Sequence, residues 1–216
     1  MEFFQAYSKS KEGRQGGSEV ELVFLKFCRV SKLKKLILAL LVSVLLVAGL
    51  STAFFASGSN GSWRTASRES AGIAPKPDET KDAVIQVYGA STWGWRGIFA
   101  IHTWISTKRA GDDSYTVYEV IGWRLRRGES VVRIAEDIPD RYWYGERPEL
   151  LTEKIGDGVD RIIDKIELAA RSYPWPDQYK AFPGPNSNTF TAWVAREVPE
   201  LDLDLPFSAI GSGFVD

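Results

Sequence analysis

Three side chains in this sequence are of the types that acyl-transfer chemistry needs: a histidine to move a proton, a hydroxyl to attack, and a carboxylate to orient the histidine. His102 is the single imidazole among 216 residues. Ser187 follows Pro183-Gly184-Pro185, lies between Asn186 and Asn188, and opens a segment of helical character. A side chain at a helix N-terminus meets unpaired backbone N–H groups and the positive end of the dipole, and those N–H groups can hold an oxyanion. Glu119 shares a strand face with Val117, Ile121 and Trp123, an odd place for a carboxylate without a partner. A hydroxyl is harder to deprotonate than a thiol, so Ser187 would need His102 as base and Glu119 to fix its tautomer. If facing residues of the hairpin sum to 221, His102 lies opposite Glu119.

Each residue also has a plainer reading. Ser187 suits an ordinary helix cap. His102 suits a hydrogen-bonded strand residue, and Glu119 a partner for Arg124, Arg126 or Arg133. Asn186, Asn188, Trp104, Trp193 and Tyr179 surround these positions in sequence and are the candidates for ligand contact. Two or three aromatics exposed at one groove would suit stacking on sugar rings or acyl chains. Asp202, Asp204, Glu197 and Glu200 lie in a Pro-bounded segment that reads as a solvated loop, so no metal site is expected.

The elements that position these residues can be read from periodicity. Residues 83–88 are short and β-rich, while 97–107 and 115–125 alternate and are joined by a loop of hairpin composition. In the first of these two, Ile101, Thr103 and Ile105 fall on one face, and His102 and Trp104 on the other. Residues 130–135 predict a fourth strand. A helical region begins at Pro148, and its best period is Val159, Ile162, Ile163, Ile166, Ala169 and Ala170. A shorter helix follows Asn186-Ser187-Asn188 and runs to about Val198. Strands first and helices last argue an α+β domain: an antiparallel sheet with helices packed on one face.

Composition narrows the rest. Lys and Arg number 27 against 28 Asp and Glu, but residues 1–35 hold eight basic side chains and four Glu, which leaves the remainder acidic. An acidic domain gives no electrostatic reason to bind nucleic acid. The only cysteine, Cys28, precedes the apolar run, so the later part has no thiol nucleophile, disulfide or zinc–cysteine site. No cofactor is implied.

Residues 36–56 carry no charge, and as a helix would span roughly 30 Å, the thickness of a hydrocarbon core. Lys26, Arg29, Lys32, Lys34 and Lys35 stand just before them, so the positive-inside rule puts the N-terminus in the cytoplasm. A cleaved signal peptide is the alternative, with Ser51-Thr52-Ala53 as cleavage site, but the run exceeds a usual h-region. The expected organisation is a basic cytoplasmic tail (1–35), a single transmembrane helix (36–56), a Ser/Gly/Pro-rich flexible tether (57–82) and an extracytoplasmic domain (83–216) on the periplasmic side of the inner membrane.

At TWGWRGIFAIHTWI, YEVIGWRLRRG and PGPNSNTFTAWVAREVPELDLDLP the sequence resembles a family of bacterial proteins known only as a domain of unknown function, over residues 83–214. More distantly, an early-strand His followed much later by a polar residue opening a helix resembles the circularly permuted papain-like fold. Lecithin–retinol acyltransferase and permuted relatives of NlpC-type amidases share that fold. The resemblance implies His102 as base and Ser187 in the position of the nucleophilic Cys, a departure in residue type. It implies a serine-dependent amidase, esterase or acyltransferase acting on a cell-wall or lipid substrate, or a degenerate relative. The rival is a non-catalytic envelope module recognising peptidoglycan, glycan or a partner protein through exposed aromatics.

Overall fold

A computed structural model describes residues 34–47, 49 and 64–215. The chain divides into two compact units, Met1–Asn60 and Gly61–Asp216. In the first, residues 34–47 are helical and their apolar side chains are exposed. Among the described residues no helix is long and apolar enough to cross a membrane. Residues 48 and 50–56 of the expected span, 1–33 of the basic tail and 57–63 of the tether lie outside the described residues.

The second unit is α+β. Its strands are β1 (Val84–Ser91), β2 (Ile101–Lys108), β3 (Thr116–Val120), β4 (Val132–Glu136) and β5 (Glu149–Ile155). All pair antiparallel, in the order β4-β3-β2-β1-β5. Two helices follow, α1 (Val159–Arg171) and α2 (Ser187–Glu197).

Strand alternation gives the sheet two unlike faces. Ile85, Val87, Ile105, Tyr118 and Val120 meet Ile163 and Ile166 of α1 and Phe190 and Val194 of α2 in the main core. The opposite face carries a smaller cluster of Tyr88, Ala90, Trp104, Val117 and Trp143, with Ile73 and Tyr144 packed against it. Among the described residues no helix covers that side. It is roofed by residues 137–147 and by the segment ahead of β1: Pro139 O accepts from Trp104 Nε1 at 2.7 Å and from Ser106 Oγ at 3.0 Å.

Several expectations need correction. Residues 97–107 are not one strand, because Gly94–Ile98 forms a 3-10 turn and β2 begins at Ile101. Residues 115–125 likewise break after Val120, where Gly122–Arg127 is a second 3-10 turn. Gly122 is needed there, since a Cβ would come within 2.5 Å of the Tyr179 ring. The region from Pro148 opens as a strand, not a helix. β5 lies at a sheet edge with Glu149, Leu150 and Glu153 exposed, so its polar character reflects an edge rather than a helix surface.

The hairpin pairs Ile105 with Tyr118 and Ser106 with Val117, a sum of 223 rather than 221. A shift of two keeps every side chain on its expected face.

The segment read as a tether is ordered into the fold from residue 64 on. Tyr142 N donates to Glu69 O at 2.8 Å and Gly145 N to Ser67 O at 3.0 Å. Asp140 accepts from Ser70 Oγ and from the backbone N–H groups of Ile73 and Ala74. These bonds run from backbone to backbone and to a distant Asp, and leave no periodicity in the sequence to read.

Candidate functional site

On the face away from the helices, β2 presents His102 and Trp104, and β3 presents Val117 and Glu119. Glu119 is fully buried. Its Oε1 accepts from Arg133 Nη1 at 2.9 Å and from Arg141 Nη2 at 2.7 Å, and its Oε2 accepts from Arg141 Nη2 at 2.7 Å. His102 Nε2 lies 3.3 Å from Oε2. The structure thus brings His102 and Glu119 together, although by the observed register they are not directly opposite.

The remaining walls are aromatic. The His102 ring stacks on Trp143, 3.6 Å between centroids and 7° from parallel. Tyr144 meets the Trp143 ring edge-on at 5.0 Å, Trp123 stacks 6.1 Å away, and the Arg141 guanidinium lies over Trp104 and Trp143 at 5.4 and 5.7 Å. Arg68, from the segment ahead of β1, lies over Tyr144 at 4.4 Å.

Electrostatics fix the protonation states. For Glu119, burial works to raise the pKa, but the hydrogen bond from His102 and the charges of Arg141 and Arg133 outweigh it, and the carboxyl is pushed down to about 2. An ionised carboxylate can only accept, so His102 Nε2 carries the proton. Burial is the largest influence on His102 and lowers its pKa, with Glu119 opposing and Arg141 adding to the fall. The imidazole is therefore neutral near pH 7.

Ser187 is elsewhere. Its carbonyl lies 3.4 Å from Thr103 Oγ1, which is also within hydrogen-bond distance of Asn188 Oδ1 and Thr191 Oγ1, at 3.0 and 2.9 Å. Thr103 belongs to the helix-covered face and His102 to the other, so the sheet stands between Ser187 and His102. The pairing expected of them as nucleophile and base is corrected by this alternation. Ser187 is not the cap either. Asn186 caps α2, accepting from Asn188 N and Thr189 N, while Thr189 Oγ1 accepts from Asn186 N.

A family model for a protein of unknown function (DUF3750) matches residues 82–214. The chain belongs to that family. No curated protein and no solved structure matches it.

In this DUF3750 domain the other expected contact residues serve the fold. Asn188 Nδ2 donates to Ile101 O and Ile210 O, tying β2 and the C-terminal segment to α2. Asn186 Nδ2 donates to Ala181 O and Ile210 O. Gly211, at φ +97, lies too close to the Asn186 side chain for a Cβ to fit. Trp193 Nε1 donates to Ala169 O and bridges the two helices under the Arg196 guanidinium. Tyr179 packs on Gly122, and Trp104 is wholly buried. Among the described residues no group of three His, Cys, Asp or Glu side chains is arranged to hold a metal ion.

Arg141 is the residue that sequence reasoning missed. Its only signal is compositional: a basic residue between Asp140 and the run Tyr142-Trp143-Tyr144, after a Pro. Of the arginines expected near Glu119, Arg133 is in contact, whereas Arg124 turns to Ser130 O and Glu129.

Proposed function

We propose that the domain is a non-catalytic binding module of the cell envelope that recognises a saccharide of the wall through its aromatic cleft, held at the membrane by the apolar run before it. The observation that carries this reading is the group Trp123, Trp143 and Tyr144, which lines a cavity of about 130 Å³ together with Arg68, Arg133 and Arg141. Trp123 is 44% exposed and lines this cavity. Aromatic faces with polar groups at one end are what a sugar ring stacks on. The amidase, esterase or acyltransferase reading needs a Ser187 hydroxyl beside His102, and the sheet intervenes. The anchor reading is supported by the basic cluster before Leu36 and by the exposed apolar side chains of helical residues 34–47.

The test is co-sedimentation of the purified full-length protein, in detergent micelles, with insoluble peptidoglycan. Binding is expected, Trp123→Ala should abolish it, and Ser187→Ala should leave it intact. Loss on Ser187→Ala with retention in Trp123→Ala would reverse the reading. Orientation is checked by fusing, after Asp216, a reporter active only outside the cytoplasm; a silent fusion on a stably expressed chain would remove the envelope assignment.

A further inference from the structure

Arg141 is 6% exposed, and its Nη1 is buried without a hydrogen-bond acceptor among the described residues. Its Nη2 is saturated by both oxygens of Glu119. A guanidinium N–H left without an acceptor in a desolvated site is costly, so the site is built for an acceptor it does not itself supply in good geometry. The carboxylate beside it belongs to Asp137, whose Oδ2 is bound by Arg133 Nη1 at 2.8 Å but stands 3.8 Å from Arg141 Nη1.

Charge points the same way. The cavity is lined by three guanidinium groups, Arg68, Arg133 and Arg141, and two carboxylates, Glu119 and Asp137. Glu119 is consumed by its internal partners, and His102 contributes no charge. Between these low-dielectric aromatic walls an anion held by Arg133 and Arg141 would be bound more tightly than in water. Arginine forks suit planar carboxylates in particular.

The size of the cavity limits what enters. At about 130 Å³ it is well below the roughly 300–1,000 Å³ of pockets that enclose a whole small molecule. An end group fits, and the remainder of the ligand must lie outside, where the exposed Trp123 ring is the neighbouring surface.

We infer that this cleft takes the carboxylate of an acidic saccharide between Arg133 and Arg141, displacing the Asp137 carboxylate, with the sugar ring resting on Trp123. The inference rests on the binding-module reading and adds the ligand's charge to it. Asp137 is then an internal stand-in: it occupies part of the anion position and reaches only one of the two guanidinium groups well.

The test is titration of the full-length protein with glucuronate, with glucuronamide (the same sugar with the charge removed) and with N-acetylalanine (a carboxylate without a sugar), followed by tryptophan fluorescence. Glucuronate should bind at least tenfold more tightly than glucuronamide and than N-acetylalanine. Asp137→Asn should tighten glucuronate binding several-fold and leave glucuronamide unchanged, a gain that misfolding cannot mimic. Equal binding of acid and amide overturns the carboxylate inference and leaves the module reading standing. Equal binding of glucuronate and N-acetylalanine overturns the saccharide, and weaker glucuronate binding by Asp137→Asn overturns the stand-in role. If none of the three ligands binds while peptidoglycan still co-sediments, the carboxylate inference falls and the module reading stands; if peptidoglycan fails as well, both fall.

Discussion

The two faces of the sheet are built from neighbouring residues of the same strands and have little else in common. Under α1 and α2, the Thr103 hydroxyl meets Asn188 and Thr191, and the core around it is mainly apolar, centred on Ile105, Phe190 and Val194. One residue away along β2, His102 enters a cluster of one carboxylate, two guanidinium groups and stacked indoles, roofed by loops. The helix-covered face is the kind of interior that stabilises a fold without specifying an activity. The loop-covered face carries buried charge, which is weak evidence of stability and better evidence of a place held ready for something else.

Glu119→Gln should give the largest effect, because it leaves Arg141 and Arg133 without their shared counter-charge. A loss of about 3–5 kcal/mol is expected in urea unfolding. The same substitution should move the His102 titration midpoint downward, since Glu119 is the group that favours imidazolium. A loss under about 1 kcal/mol would mean that the cluster is solvated and the contrast between the faces overstated.

Phe190→Ala tests the other face. A cavity cost of about 3–5 kcal/mol is expected for so buried an aromatic. Here the His102 resonances, unambiguous because the chain has one histidine, should titrate unchanged. Movement of that midpoint would show that the faces are coupled through the sheet.

Acid should separate the two faces again. The folded pKa of Glu119 is depressed, so its contribution of about 3 kcal/mol is present above an unfolded pKa near 4.3 and is lost as pH falls towards about 2. The folded pKa of His102 is also lowered. Its unfolded form therefore binds the proton first, and stability is lost as pH falls below about 6.5. His102→Gln should remove this upper part of the acid limb and leave the lower part in place. An unchanged upper limb would assign it to another group.

The smallest effects belong to the helix entrance and the cleft rim. Asn186→Ala should cost about 1–2 kcal/mol as the true cap, and Ser187→Ala much less, with no change in the His102 titration. Trp123→Ala should cost about 1 kcal/mol, the worth of a half-exposed ring stacking on Trp143. A His102 midpoint that responds to Ser187→Ala would bring the two residues back to one site.

How far the sequence could be read depended on whether the signal was periodic. Of the predicted α1 stripe, Val159, Ile163, Ile166, Ala169 and Ala170 are buried and Ile162 is half-buried. The alternation of β2 assigned His102 and Thr103 to opposite faces correctly, and the error lay in joining Ser187 to the wrong one. Nothing in the spacing of Asn186, Ser187 and Asn188 says which side of a sheet a later helix will cover. The meeting of His102 with Glu119 survived a register error because the error was even. β5 hid behind its edge polarity. Arg141 and Asp140 lie in irregular backbone, where a role is set by hydrogen bonds to distant residues, Glu119 for Arg141 and Ser70 for Asp140, and not by any local pattern.

The attachment of residues 67–71 along residues 140–145 has a mechanical consequence. Ser70 bridges Arg141, Tyr142 N binds Glu69 O, and Arg68 rests on Tyr144, so the strap is fastened to the rim of the cleft and not to the helices. A pull on the chain ahead of residue 64 loads these few bonds in series before it reaches any core strand. Under tension this segment is expected to yield first, which would strip Arg68 from the cleft while the sheet and both helices stayed folded.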